Sequence, residues 1–234
     1  MKNIAIITAR GGSKRIPGKN IKIFCGKPII VYSIEAALGS GIFDEVMVST
    51  DDRNIAEISE RYGAKVPFLR SEKTSDDYAT TNDVLMEVLE EYDKRGKKFD
   101  TGCCLYPTAP FVTADILRDA YNKLQDSDSD TLTPVVAFSY PVQRAFVIQD
   151  GFLSYEYPEY MTARSQDLVP RYHDAGQFYM FRTGPYLQRG QLMSDRVMPY
   201  VLPQTHVQDI DNEEDWIIAE MKYNIIQSGK AERN

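Results

Sequence analysis

Along the first 138 residues, short runs rich in β-branched residues alternate with longer stretches whose apolar residues recur every three or four positions. No other feature constrains the fold as much. Strands separated by helices of this length cross over and pair in parallel, with helices covering the sheet faces. The strand-like runs are NIAIIT at 3–8, EVMVST at 45–50, AKVPFL at 64–69, GCCLY at 102–106 and TLTPVVAF at 131–138. Helical periodicity occupies 28–38, 53–62, 81–92 and 113–124. Pro28 suits a first-turn position, and Asp52 and Thr113 suit N-caps. At 212–227 the segment NEEDWIIAEMKYNIIQ opens on acidic residues and continues with Trp216, Ile217, Ala219, Met221 and Ile225, a helix with a favourable dipole at its start. The expectation is an α/β sandwich formed by one domain, 1–234. Its rhythm breaks at 139–174, a Tyr-, Pro- and Arg-rich stretch whose strand-like piece is AFVIQ before a Gly turn, which reads as an insertion. The polar tail GKAERN at 229–234 is expected to fray.

Charge narrows the function. Asp and Glu number 34 against 27 Lys and Arg, a net charge of −7, which disfavours nucleic-acid coating and polybasic membrane contact. An anionic ligand must then be met by a local basic cluster. The three cysteines, Cys25, Cys103 and Cys104, have no CxxC spacing, and the apolar run 4–7 is cut short by Arg10. Neither a disulfide framework, a zinc knuckle nor an export signal is expected, and a reducing cytoplasm fits.

The basic cluster lies directly after the first strand, in TARGGSKRIPGKN at 8–20. In doubly wound sheets ligands bind beyond the carboxyl ends of the strands, where this loop falls. Arg10, Lys14, Arg15 and Lys19 supply positive charge, Gly11 and Gly12 permit close backbone approach to phosphate oxygens, and Ser13 adds a hydroxyl donor. The loop is not a P-loop: Gly12 and Gly18 enclose five residues, and Lys19 is followed by Asn20 rather than Ser or Thr. A solvated surface loop is the plainer alternative.

A second constellation is Gln208-Asp209-Ile210-Asp211, read as the end of a strand-like HVQDI. Carboxylates two apart on a strand face the same side, so Asp209 and Asp211 can share one hard cation. Otherwise Asp211 N-caps the last helix and Asp209 is solvated. A third segment, LYPTAPF at 105–111, has prolines that stiffen a turn and Tyr106, an aromatic face with a polar tip suited to a sugar or base. Arg70 and the run Thr80 to Asp83 either reach a nucleotide or serve the start of a helix.

Taken together, the loop at 8–20 resembles the signature loop of the CMP-sialic acid synthetases, and QDIDNEEDW resembles their metal motif, with LYPTAPF and the Arg70 segment between them in the expected order. The resemblance spans essentially the whole chain. Within the family, RSQDL and YHDAGQFYM at 164–180 look most like the branch that activates pseudaminic acid. The resemblance implies a three-layer α/β/α, nucleotide-diphosphosugar-transferase-like and Rossmann-like fold with a mainly parallel central sheet. It also implies transfer of CMP from CTP to an acidic nine-carbon sugar, with Mg2+ as cofactor. Carried over by position, Arg10, Gly11, Ser13, Lys14, Lys19, Asn20, Arg70 and Thr81 would bind CTP. Asp209 and Asp211 would hold the metal, and Arg10, Lys19 and Asp211 would carry catalysis.

For the sugar the same resemblance points to Tyr106, Arg144, Arg164, Gln166 and Tyr179. Tyr106 stands where true sialic acid synthetases usually have Gln, Ala175-Gly176-Gln177 replaces their NGA motif, and Arg15 replaces a usual Gly. The insertion at 139–174 corresponds to the family's dimerisation segment, which implies a homodimer and gives Arg144 and Arg164 a neighbour's sugar carboxylate to meet, surface salt bridging being the alternative. His173 and His206 are expected to be structural. Activation of N-acetylneuraminate or 3-deoxy-manno-octulosonate, or non-catalytic binding of a sugar nucleotide, are the rival readings.

Overall fold

The computed structural model describes residues 1–231, Lys230 and Ala231 by their backbone alone. Its strands are β1 (Asn3–Thr8), β2 (Ile23–Phe24), β3 (Lys27–Pro28), β4 (Glu45–Ser49), β5 (Thr101–Leu105), β6 (Thr131–Ala137), β7 (Phe146–Gln149), β8 (Phe152–Tyr155), β9 (Tyr172–Asp174), β10 (Phe178–Arg182) and β11 (Val197–Val201). Its helices are α1 (Ile29–Ser40), α2 (Arg53–Arg61), α3 (Thr81–Lys94), α4 (Ala114–Gln125), α5 (Thr183–Arg189) and α6 (Glu213–Ala231). The frayed tail expected from the sequence lies outside the described residues at 232–234, while 229–231 continue α6.

The central sheet runs β11-β6-β10-β5-β1-β4, with β9 paired to β6. β1 pairs in parallel with β4 and β5, and β11 with β6; β10 and β9 are antiparallel. The sheet is thus mainly parallel, as expected. β1 reads as an unbroken apolar run because both of its faces are covered. Ala5 and Ile7 join the cluster containing Ile30 and Ile34 of α1 and Leu117 and Leu124 of α4, whereas Ile4 and Ile6 pack with Leu85, Val88 and Tyr92 of α3. Each such buried isoleucine stabilises the fold by about 2 kcal/mol relative to exposure. Cys103 and Cys104 divide the same way between the two faces.

Helix starts follow the caps read from sequence. Asp52 accepts from the amides of Asn54 and Ile55, and Thr113 from Ile116. Thr80 and Asp83 form a capping box at the start of α3. Pro28 precedes α1 rather than opening its first turn.

Two strand expectations change. AKVPFL is not a strand: Lys65 alone bridges to Met47, because Pro67 has no amide with which to continue a ladder. HVQDI is not a strand either. A 3₁₀ turn at Gln204–His206 leads into chain without a ladder partner, after Pro203 has ended the β11 edge. Conversely, β10, β11 and α5 were not read from the sequence. Between β6 and β9 the chain makes an excursion at 139–171 containing the β7–β8 hairpin, turned at Asp150 and Gly151 with positive φ of 52° and 83°. This hairpin exposes Phe146, Ile148, Phe152 and Leu153.

Candidate active site

The loop leaving β1 is staked at two points. Ile16 is buried with Phe24, Phe111, Ile210 and Trp216, and buried Asn20 donates from Nδ2 to the carbonyl of Arg10 at 2.8 Å. Between these anchors the polar residues face a cavity of about 400 Å³ lined by Arg10, Ser13, Lys14, Arg15, Lys19 and Asn20, with Thr8 and the turn Tyr106-Pro107-Thr108 as the other wall. The cavity lies at the carboxyl ends of β1 and β5, where parallel sheets bind ligands. Gly11 donates its amide to Asp51 at 2.9 Å, and a Cβ there would stand 2.8 Å from Asp52 Oδ2, so this turn has no room for a side chain.

Although 191 positions away in sequence, the acidic segment before α6 meets this loop. Lys19 Nζ donates to the carbonyl of Ile210 at 2.6 Å and lies 4.0 Å from Asp211 Oδ1, while Arg15 Nη1 is 2.9 Å from Asp211 Oδ2. Without a strand's pleat, the alternation persists because Ile210 is buried in the aromatic cluster while its neighbours turn outward. Asp211 does not cap α6. Asn212 Oδ1 accepts from the amides of Glu214 and Asp215, so the Asp211 carboxylate is left for the loop cations. Burial lowers the pKa of Lys19, opposed by the charges of Asp211 and Asp209. Burial and then the charge of Asp211 raise the pKa of Asp209, opposed by Lys19.

On the other side of the loop, Arg10 Nη1 donates to Asp77 Oδ1 at 3.0 Å and to the carbonyl of Asp76 at 3.1 Å, and Lys14 pairs with the same Asp77 carboxylate. Hydrogen bonding from Lys14, then its charge, lowers the Asp77 pKa. The sequence shows no motif around Asp77, so its partnership with the loop was not anticipated.

The remaining candidates divide. Buried Arg70 donates from Nε to Ser49 Oγ at 3.1 Å and from Nη2 to the Ser49 carbonyl at 2.6 Å, clamping the end of β4. Thr81 Oγ1 lies 3.2 Å from Tyr106 Oη, and Tyr106 and Tyr179 meet edge to face with ring centroids 5.7 Å apart. Arg144, Arg164 and Gln166 lie in the excursion and do not line the cavity; Arg144 Nη1 contacts Ser165 Oγ at 3.4 Å. His173 has Nδ1 at 2.9 Å from the Asp174 carbonyl and its ring against Phe138, and His206 has Nδ1 at 3.0 Å from Thr205 Oγ1. Burial pushes the Cys104 thiol up to about 12, which leaves it unreactive at neutral pH.

A profile of the cytidylyltransferase family matches residues 4–223. The chain belongs to the cytidylyltransferase family. Among its relatives, a pseudaminic acid cytidylyltransferase of Campylobacter jejuni is 45% identical over 226 residues, covering 96% of this chain and 97% of the relative. An N-acylneuraminate cytidylyltransferase of Streptococcus agalactiae is 31% identical over 223 residues, 93% of this chain and 52% of that protein. The fold of this cytidylyltransferase matches a CMP-2-keto-3-deoxy-manno-octonic acid synthetase solved with CTP, with a TM-score of 0.71 at 19% identity over 97% of this chain and all of that one. It also matches a 4-diphosphocytidyl-2C-methyl-D-erythritol synthase from Anaerococcus prevotii, with a TM-score of 0.65 at 15% identity over 95% and 98% of the two chains. No helix among the described residues of this cytidylyltransferase is long and apolar enough to cross a membrane.

Proposed function

We propose that this cytidylyltransferase transfers CMP from CTP to the anomeric hydroxyl of pseudaminic acid, releasing pyrophosphate. The observation that carries the reading is the meeting of the four-cation loop with the Asp209–Asp211 segment at the carboxyl end of β1, in a chain of this family. The sugar rests on the 45% identical relative and on Tyr106, a residue of the cavity wall at the position where the resemblance expects Gln in the sialic acid synthetases.

In this mechanism Arg10, Ser13, Lys14 and Lys19 bind the phosphates, with Asn20 beside them and Gly11, whose amide is held by Asp51, keeping the turn close to them, while Arg70 and Thr81 support the nucleotide side. Positioning and charge neutralisation carry most of the rate, as in phosphoryl transfers generally. The donor set at Asp209 and Asp211 suits Mg2+, which takes one or two carboxylates and completes its shell with substrate phosphates and water. Burial first, and then the charge of Asp211, raise the pKa of Asp209, and a cation held between the two carboxylates would relieve the second of these. When bound, Mg2+ would supply Lewis-acid stabilisation of charge on the α-phosphate and leaving group.

Arg144, Arg164 and Gln166 read best as contacts completed by a second copy. The exposed apolar hairpin β7–β8 would seat that copy, giving a homodimer whose mass sedimentation measures. CTP as substrate and three free cysteines suit a cytoplasmic setting.

The test is pyrophosphate release from CTP and Mg2+ by purified protein offered pseudaminic acid, N-acetylneuraminic acid and 3-deoxy-manno-octulosonate in parallel. Release with pseudaminic acid alone is expected. Release with N-acetylneuraminic acid alone would keep the chemistry and replace the sugar, and silence with all three would leave a nucleotide-binding protein.

A further inference from the structure

The four cations of the loop at 8–20 do not share one partner. Arg10 and Lys14 pair with Asp77 on one side of the loop, and Lys19 donates to the Ile210 carbonyl at 2.6 Å. Arg15 differs, because its Nη1 stands 2.9 Å from Asp211 Oδ2 and no other ion pair holds it among the described residues. That carboxylate is one of the two assigned above to Mg2+. The pair is built to open: its side chains are 68% and 40% exposed, and exposed ion pairs contribute little to stability. Neither backbone has to move when it does. Buried Ile16 anchors the loop next to Arg15, and the Asp211 amide donates to Asp215 Oδ2 at 3.0 Å.

A released Arg15 stays in the site, since it lines the same cavity as Arg10, Ser13, Lys14 and Lys19. A guanidinium carries five donors in a planar fork that matches phosphate oxygens, whereas beside a divalent cation on Asp211 it meets like charge. We propose that Arg15 is a further phosphate-binding residue, kept on Asp211 until metal and nucleotide enter and then transferred to the phosphates of CTP. Asp211 thereby passes from a protein cation to the metal, and Arg15 passes from a carboxylate to a phosphate. Each charged group keeps a partner throughout. This rests on the cytidylyltransfer reading and its metal assignment, and adds to them a residue that neither uses.

The sign of one measurement separates this from a merely structural ion pair. Arg15→Gln should tighten binding of Mn2+, a stand-in for Mg2+ whose free ion is read by electron paramagnetic resonance, by about threefold, within what an exposed ion pair can withhold. The same variant should raise the KM for CTP about tenfold at saturating Mg2+, the order of one lost charged hydrogen bond, with the melting temperature unchanged. Lys14→Gln removes an equal charge from the same loop but leaves the Arg15–Asp211 pair intact, so it should raise the KM for CTP without tightening Mn2+. If the pair only holds Asp211 in place, Arg15→Gln weakens Mn2+ binding or leaves it unchanged, and either result would overturn the inference. So would an unmoved KM for CTP, or equal tightening by Lys14→Gln, which would mark a general field rather than competition for one carboxylate. Mn2+ binding undiminished in Asp211→Ala would instead remove the metal assignment, and a wild-type protein silent with every sugar would remove the cytidylyltransfer reading, each taking this inference with it.

Discussion

Lys19→Met separates a structural lysine from a catalytic one. The methionine keeps the apolar stem and deletes the ammonium that donates to the Ile210 carbonyl at 2.6 Å and stands 4.0 Å from Asp211. A hydrogen bond from a charged donor contributes about 1.5–3 kcal/mol. The lowered pKa of Lys19, caused first by burial and only partly offset by Asp211 and Asp209, shows that holding the charge there is itself costly. Part of the loss is therefore returned, and the net loss of fold stability should be about 1 kcal/mol. Turnover should fall further, because removing one preorganised donor from a site of charge development costs on the order of 100-fold or more. Urea denaturation, with midpoints compared at equal m-values, gives the first quantity. Pyrophosphate release at saturating sugar gives the second. A stability loss above about 3 kcal/mol with activity lowered only through unfolding would refute the reasoning, and so would kcat/KM within about threefold of wild type. The lowered lysine pKa also sets a sign. Folded protein sheds this proton before unfolded protein does, so stability contributed at this site rises with pH between the folded pKa and the ordinary lysine value, and Lys19→Met should flatten that rise.

Other perturbations test the site and its frame. Asp77→Asn removes the internal anion that occupies Arg10 and Lys14, so CTP should bind more tightly, with the gain shrinking at high salt; calorimetric titration at two ionic strengths measures this, and weaker binding would contradict it. Asp211→Ala should abolish turnover while preserving the circular dichroism spectrum and the melting transition, and near-wild-type rates would remove Asp211 from the metal assignment. Glu45, buried at the start of β4, accepts from Lys65 at 2.9 Å and from the Tyr92 hydroxyl at 3.1 Å. Burial raises its pKa, but these hydrogen bonds and the charges of Lys65 and Lys97 more than offset that, leaving it lowered. Its stabilisation is present above the ordinary Glu pKa and lost as pH falls through the lower, folded value. Glu45→Gln should therefore cost about 1–3 kcal/mol at neutral pH and little in acid, and an equal cost at both would point to packing instead.

The parts of this molecule legible in sequence are those whose cause sits within a few residues. Asp52 and Thr113 announce their helices because an N-cap acts on amides two or three positions on. β1 announces itself because burial on both faces leaves a continuous apolar run, Ile4 to Ile7. The loop at 8–20 is legible because its charges and glycines are contiguous. What escaped is relational. β10 enters the sheet antiparallel between β5 and β6, and nothing in FYMFR records its neighbours. Yet that placement brings Tyr179 to Tyr106 and to Asp174. AKVPFL misled because its apolar residues Val66, Phe68 and Leu69 outweighed a single Pro67.

The acidic excess of the chain has the same relational character. As a composition it disfavours polyanions, whereas in the fold two of its carboxylates pair with the cations of the loop at 8–20. Asp77 holds Arg10 and Lys14, while Asp211 holds Arg15 and lies near Lys19. Four cations crowded into one short loop would repel one another in isolation, and these two residues, 134 positions apart by their numbers (211 − 77), neutralise them from opposite sides. On the proposed reading, a triphosphate entering the cavity would exchange one set of anionic partners for another rather than meet bare charge, and would free the Asp211 carboxylate from Arg15.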